Sequence, residues 1–157
     1  MIRSARAPAL LRAMTCVASL AIWPLAAQAA RFCSFSSAVP VSFGIYDVYA
    51  AAANNAGVGS ITINCSGGGG PFNVALSTGQ SLTYAMRVMN SGANKLNYNL
   101  YTSAGRSVVW GDGSGVSQVM TVARNTQTRL DIFGQIPPLQ DVAVGSYSDI
   151  IIATVNF

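Results

Sequence analysis

The 157-residue sequence contains no histidine and no glutamate. The first absence removes Ser-His-Asp and Cys-His catalysis and the commonest metal ligand. The second leaves Asp47, Asp112, Asp131, Asp141 and Asp149 as the only carboxylate side chains, scattered with no pair at short spacing. Acid–base chemistry by paired carboxylates therefore has no motif to work from. Cys33 and Cys65, the two cysteines beyond the apolar start of the chain, cannot make a usual zinc site without a histidine. "GGGG" at 67–70 is followed by neither Gly-Lys-Ser/Thr nor a helical pattern, so it reads as a flexible loop and not a phosphate cradle. Asp112 in "WGDGSG" (110–115) starts like a calcium loop, but the further acidic ligands and closing glutamate are missing, and a Gly-rich turn is the better reading. No catalytic, cofactor-binding or metal-binding residue is assigned, and the chain is not expected to be an enzyme.

The one sustained apolar run lies near the start. "MIRSARAPALLRAM" (1–14) carries Arg3, Arg6 and Arg12, "TCVASLAIWPLA" (15–26) is apolar, and "AQAA" (27–30) offers a small-residue exit after Ala29. That order identifies residues 1–29 as a secretory leader. The run is short for a membrane span and contains Pro24. With the leader removed, six cationic residues face five aspartates, a net charge of +1 in place of the +4 of the whole chain. No basic cluster remains, so the charge carries no nucleic-acid footprint. Residues 30–157 suit one domain with one core. Cys16 leaves with the leader, and an exported chain with two remaining cysteines implies a Cys33–Cys65 disulfide. Such a bond is worth about 3–4 kcal/mol in the chain-entropy model.

What the mature chain does have is period-two alternation. "VPVSFGIY" (39–46), "SITINC" (60–65), "FNVALS" (72–77), "KLNYNLYT" (95–102), "QVMTVA" (118–123) and "RLDIFGQI" (129–136) read as strands. Pro40 confines the first to an edge, a bulge or a strand start. "NNAGVG", "SGGGG", "NSGAN" and "GDGSG" between them have turn composition. The pattern predicts no helix beyond about ten residues, at most one turn within 48–57. The fold class is all-β, an antiparallel sandwich or barrel. Ser148–Phe157 reads as one ten-residue strand. Ile150–Ile152 make both its faces apolar, as in a strand covered on both sides. An edge of that kind tends to recruit another chain. Tyr98 is expected in the core, whereas Tyr101 and Trp110 could equally face a ligand or surface.

"CSFSSAVPVSFGIYD" (33–47), "GSITINCSGG" (59–68), "LNYNLYTSAGRSVVWGDGSG" (96–115) and "VGSYSDIIIATVNF" (144–157) resemble, in order, the spore coat protein U domain, a family that includes subunits of archaic chaperone–usher pili. The resemblance implies an incomplete immunoglobulin-like antiparallel β-sandwich lacking its final strand. It also implies an acceptor groove walled by Val39, Val41, Phe43, Ile150, Ile152, Val155 and Phe157. A periplasmic pilus chaperone would fill the groove first and a neighbouring pilin subunit's donated strand would replace it, with an outer-membrane usher as the third partner. The expected destination is export through the periplasm to a fimbrium, the cell surface or the medium.

One departure bears on position in a fibre. Polymerising members carry a donor segment of ten or more residues before the first cysteine. Cleavage after Ala29 would leave only Ala30, Arg31 and Phe32, which span about 10 Å at full extension. Such a subunit accepts a strand but does not donate one, as at a fibre tip in adhesion or biofilm formation. The loops at 48–58, 66–71 and 111–117, with Val48, Tyr49, Val58, Gly113 and Val116, are candidate surface contacts of low charge. The alternatives are a secreted spore-coat, cell-coat or matrix protein not assembled by an usher, and a lone carbohydrate- or surface-binding module.

Overall fold

The computed structural model describes residues 32–67, 69–123 and 126–156. The leader expected at 1–29, the two residues after it and Phe157 lie outside them. Ten strands follow in chain order: β1 Phe32–Ser42, β2 Val58–Ser66, β3 Phe72–Leu76, β4 Arg87–Ser91, β5 Asn94–Tyr101, β6 Val109–Trp110, β7 Ser117–Gln118, β8 Met120–Val122, β9 Gln127–Gln135 and β10 Ala153–Asn156. No helix occurs among the described residues.

The strands form two sheets. The larger runs β1-β2-β9-β5-β6-β7, with β4 also paired to β5, and the smaller runs β10-β3-β8. All pairings are antiparallel except the two-residue β6/β7 contact, which is parallel. Alternation places Ile61, Ile63 and Cys65 of β2, Phe72, Val74 and Leu76 of β3, Leu96, Tyr98 and Leu100 of β5, and Leu130 and Ile132 of β9 in one core. Burial of these side chains is the main stabilising term, at about 1.5–3 kcal/mol for each large apolar residue.

β1 is an edge strand, and Pro40 falls where its register with β2 shifts between Val39 and Ser42, a position that needs no ladder donor. Cys33 lies directly opposite Cys65 in that ladder and the two form a disulfide. β4 and β5 are joined through Gly92-Ala93, with Gly92 at φ +58°, the left-handed conformation that glycine adopts freely.

Four expectations need correction. The strand expected at 39–46 begins earlier, at Phe32, because the segment around Cys33 is laddered and cross-linked to β2. It ends at Ser42, two residues before Gly44 takes a left-handed turn at φ +67°. The stretch 118–123 is not one strand: β7 pairs with β6 in the larger sheet and β8 with β3 in the smaller. β4 and β6 were absent from the sequence reading. The ten-residue terminal strand shortens to Ala153–Asn156, and of the three isoleucines expected to be covered, only Ile151 packs on the core. Ile150 and Ile152 are exposed, because residues 148–152 are held by side-chain hydrogen bonds and isolated contacts in place of a continuous ladder.

Candidate functional site

Along the β1 side the two sheets do not close over the core. Two adjoining hollows of about 980 and 500 Å³ share Val41, Phe43, Met89 and Tyr147, and together make one cleft. One wall is the end of β1 with the residues that follow it; the other is the segment from Val142 to Ala153. The floor of the narrower hollow includes Ile61, Leu76, Leu100 and Ile132, which are core residues. These floor side chains are themselves buried, so the hollow sits directly above the core.

Local sequence explains the walls. β1 pairs only with β2, so its outer edge presents unladdered main-chain groups. Val39 on it is 55% exposed. Phe43 turns inward instead. Its ring stacks edge-on against Tyr98, centroids 5.7 Å apart, and lies so close to Gly57 and Gly134 that a Cβ on either would collide with it. On the far wall Ile150 is 78% exposed.

The expected groove residues therefore separate. Val39, Val41, Phe43 and Ile150 line the cleft. Ile152 and Val155 line neither hollow: Ile152 points to solvent and Val155 packs against the core from β10. Phe157 lies outside the described residues. Of the expected surface contacts, Val48 and Tyr49 border the wider hollow, with Tyr49 exposed and Val48 half-buried. Val58 heads β2 opposite Ser42 and Phe133, and Gly113 and Val116 are exposed in the 111–117 turn. None of these three lines the cleft. In that turn Asp112 Oδ1 accepts from the amide and hydroxyl of Ser114 at 2.8 and 2.6 Å, which hold its carboxyl below the usual range. This is a locally satisfied turn of the kind Asp favours.

A polar cluster that no motif or periodicity signals lies under the far wall. Arg87 has no exposed surface, and no carboxylate pairs with it among the described residues. Its Nε and one terminal nitrogen donate to the Ser77 carbonyl at 3.0 and 2.9 Å, and further bonds reach Asn99 Oδ1 at 2.8 Å and the Trp110 carbonyl at 2.7 Å. The Tyr84 ring stands 5.2 Å from the guanidinium carbon. Burial lowers the Arg87 pKa, opposed by nearby tyrosines and Asp149; the oriented carbonyls replace the water that a buried cation would otherwise lose. Asp149 accepts from Tyr98 Oη at 2.7 Å, Gln80 N at 2.9 Å and its neighbour Ile150 N at 2.7 Å. Burial, then the Asp149 hydrogen bond and charge, push the Tyr98 phenol far above its ordinary pKa. Asp47 and Asp149 are the charged groups lining the cleft, and among the described residues no Lys or Arg lines it.

Residues 19–154 match the Spore Coat Protein U domain family. The chain belongs to that family. A fellow relative is Protein U of Myxococcus xanthus, 27% identical over 131 residues that cover 74% of this chain and 71% of Protein U. The spore coat protein U fold is also shared with a chain in the crystal structure of the CsuC-CsuE chaperone–tip adhesion subunit pre-assembly complex, from the archaic chaperone–usher Csu pili of Acinetobacter baumannii. The TM-score is 0.57 at 20% identity, over 82% of this chain. This chain spans about 40% of that longer one.

Proposed function

We propose that this chain is a structural subunit of a chaperone–usher surface pilus and that its cleft accepts a β-strand from another protein. The observation that carries the reading is the apolar cleft, floored by buried core side chains and walled by the exposed Val39 and Ile150, beside the unladdered edge of β1. An extended segment with alternating apolar side chains fits both features: its side chains fill the hollow and its main chain bonds to the strand edge. The occupants would be, in turn, a periplasmic chaperone strand and a donor segment of a neighbouring pilin, after export directed by the leader at 1–29 and with an outer-membrane usher handling assembly. The work is assembly and not catalysis.

A tip position, with a role in adhesion or biofilm formation, extends the proposal. With cleavage after Ala29, three residues precede Cys33, and Phe32 is already committed to its own sheet opposite Ser66. A subunit with a groove and no free donor ends a fibre. The kinship with Protein U supports a second reading, a secreted coat or matrix protein not assembled by an usher.

Co-expression with an archaic-pilus chaperone tests the main reading: a one-to-one complex should purify. A donor strand fused after Phe157 through a flexible linker should raise Tm, and no change with any donor would mean a self-sufficient sandwich. Immunogold label confined to fibre ends is expected for the tip position; label along the shaft would refute it.

A further inference from the structure

We propose that Asp149 is a positioning residue that fixes residues 148–152 as a ready-made wall for the incoming strand. The proposal rests on the strand-acceptance reading above and adds what makes the wall receptive before a partner arrives. These residues have no continuous ladder. They are pegged from one side: Gln80 Nε2 donates to the Ser148 carbonyl at 3.0 Å, Ile152 N donates to Ser77 Oγ at 2.9 Å, and Ser77 N donates to the Ile152 carbonyl at 2.9 Å. Asn90 and Ser148 exchange a main-chain pair of 2.9 and 3.1 Å.

Asp149 stands at the centre of these pegs. Its carboxylate ties the wall to the 77–80 turn through Gln80 N, to the core through Tyr98 Oη, and to Ile150 through that residue's amide. The turn is shaped to receive it. Gly79 adopts φ +67°, and a Cβ there would run into the Asp149 carboxylate. The Ser77 carbonyl is in turn gripped by Arg87, so the pegging side continues into the most buried polar cluster of the fold. None of the hydrogen bonds to 148–152 comes from β1, the opposite wall, and the space between the walls stays open. A wall fixed in advance lowers the ordering cost of strand binding.

The test measures strand binding and stability separately. The probe is a fluorescein-labelled thirteen-residue peptide of alternating valine and serine, flanked by lysines. It is titrated by anisotropy into the purified disulfide-bonded protein at a temperature where near-UV circular dichroism shows each variant folded. Asp149→Ala should weaken binding about tenfold, the size expected from losing one or two charge-assisted hydrogen bonds that hold the wall. Asp149→Asn should stay within about threefold of wild type, because its amide oxygen still accepts from Gln80 and Ile150. Tyr98→Phe, which removes only the hydroxyl, repeats the test should the alanine variant not fold. Trp110→Phe, which loses the indole bond to the Val74 carbonyl at a side chain that lines neither hollow, should lower Tm while leaving peptide affinity unchanged. If wild type does not bind the peptide, strand acceptance itself fails. If wild type binds and both Asp149→Ala and Tyr98→Phe bind equally well, Asp149 has no positioning role and strand acceptance stands. A loss in Trp110→Phe as large as in Asp149→Ala would make the effect one of general stability, and would also overturn the proposal.

Discussion

Trp110 and Arg87 have no exposed surface, whereas Val39 and Ile150 on the cleft walls are 55% and 78% exposed. The two regions belong to one small sandwich and share a core, yet they follow opposite rules. Around Arg87 and Trp110 the interior is polar but satisfied: the indole donates to the Val74 carbonyl at 2.8 Å, and Asn99 Nδ2 donates to the Tyr84 carbonyl at 2.9 Å while its Oδ1 takes Arg87. Along the cleft the surface is apolar but uncovered. A protein that was only optimising its own stability would do neither, since a buried unpaired cation costs desolvation and a bare apolar edge invites association. The difference teaches that one side is satisfied from within while the other keeps the apolar surface that the proposed strand acceptance would use, with Ser77 and Asp149 at the seam between them.

The largest expected effect lies on the closed side. Trp110→Ala removes a fully buried indole, and losses of this kind run at about 3–5 kcal/mol. Urea unfolding should show it with or without a bound strand. A loss below about 1 kcal/mol would mean that this end is not the rigid one, and the comparison would break.

Second is the disulfide. Replacing Cys33 and Cys65 by serine should cost about 3–4 kcal/mol in the chain-entropy model. The bond joins the free-edge strand to β2. The loss should therefore appear as early hydrogen exchange in β1, with the Trp110 region still protected. Uniform deprotection would show that the two regions unfold together.

These outcomes bear on what the sequence disclosed. β2, β3, β5 and β9 were legible within a few residues because their alternation matches one buried face each. β4 was not. Its inward positions are held by Arg87 and Met89, and a cation where an apolar residue belongs hides the period. β6 is two residues long, below what periodicity detects. Beyond β9, Gln140 replaces a strand outright: its amide accepts from Asn97 N at 2.8 Å and donates to the Asn97 carbonyl at 2.9 Å, imitating a ladder partner with one side chain. Of the residues that resemblance assigned to a groove, Val39, Val41, Phe43 and Ile150 line the cleft and Ile152 and Val155 do not. Asp149 and Ser77 were not legible, because their importance comes from contacts across about 70 residues of sequence separation.

A third test probes the seam by pH. The Tyr98 phenol has a folded pKa raised above its unfolded value near 10 by burial and by Asp149. The folded state therefore keeps a proton that the unfolded chain gives up. The stability attached to it is complete below about pH 10 and is lost as pH rises beyond it, with a slope near 1.4 kcal/mol per pH unit. Tm between pH 9 and 11 should fall less steeply in Tyr98→Phe. Equal slopes would show that the seam contributes nothing distinctive, leaving Tyr84 and Tyr101, also raised by burial, as the sources.

The smallest expected effect on the free protein is the sharpest contrast. Ile150→Ser changes a side chain that is 78% exposed, so unfolding free energy should move by no more than about 0.5 kcal/mol. Once a donor strand covers the cleft, the same isoleucine would be buried, and its replacement should forfeit about 1.5–3 kcal/mol of apolar transfer. The Tm gain from a fused donor strand should then shrink in the variant although the two unfused proteins melt alike. Trp110→Ala should do the reverse, lowering both melting temperatures by similar amounts and sparing the gain. If Ile150→Ser destabilised the free protein as much as the donor-fused one, the isoleucine would be ordinary packing. The open flank would then be a shallow surface feature and not a surface completed by another chain.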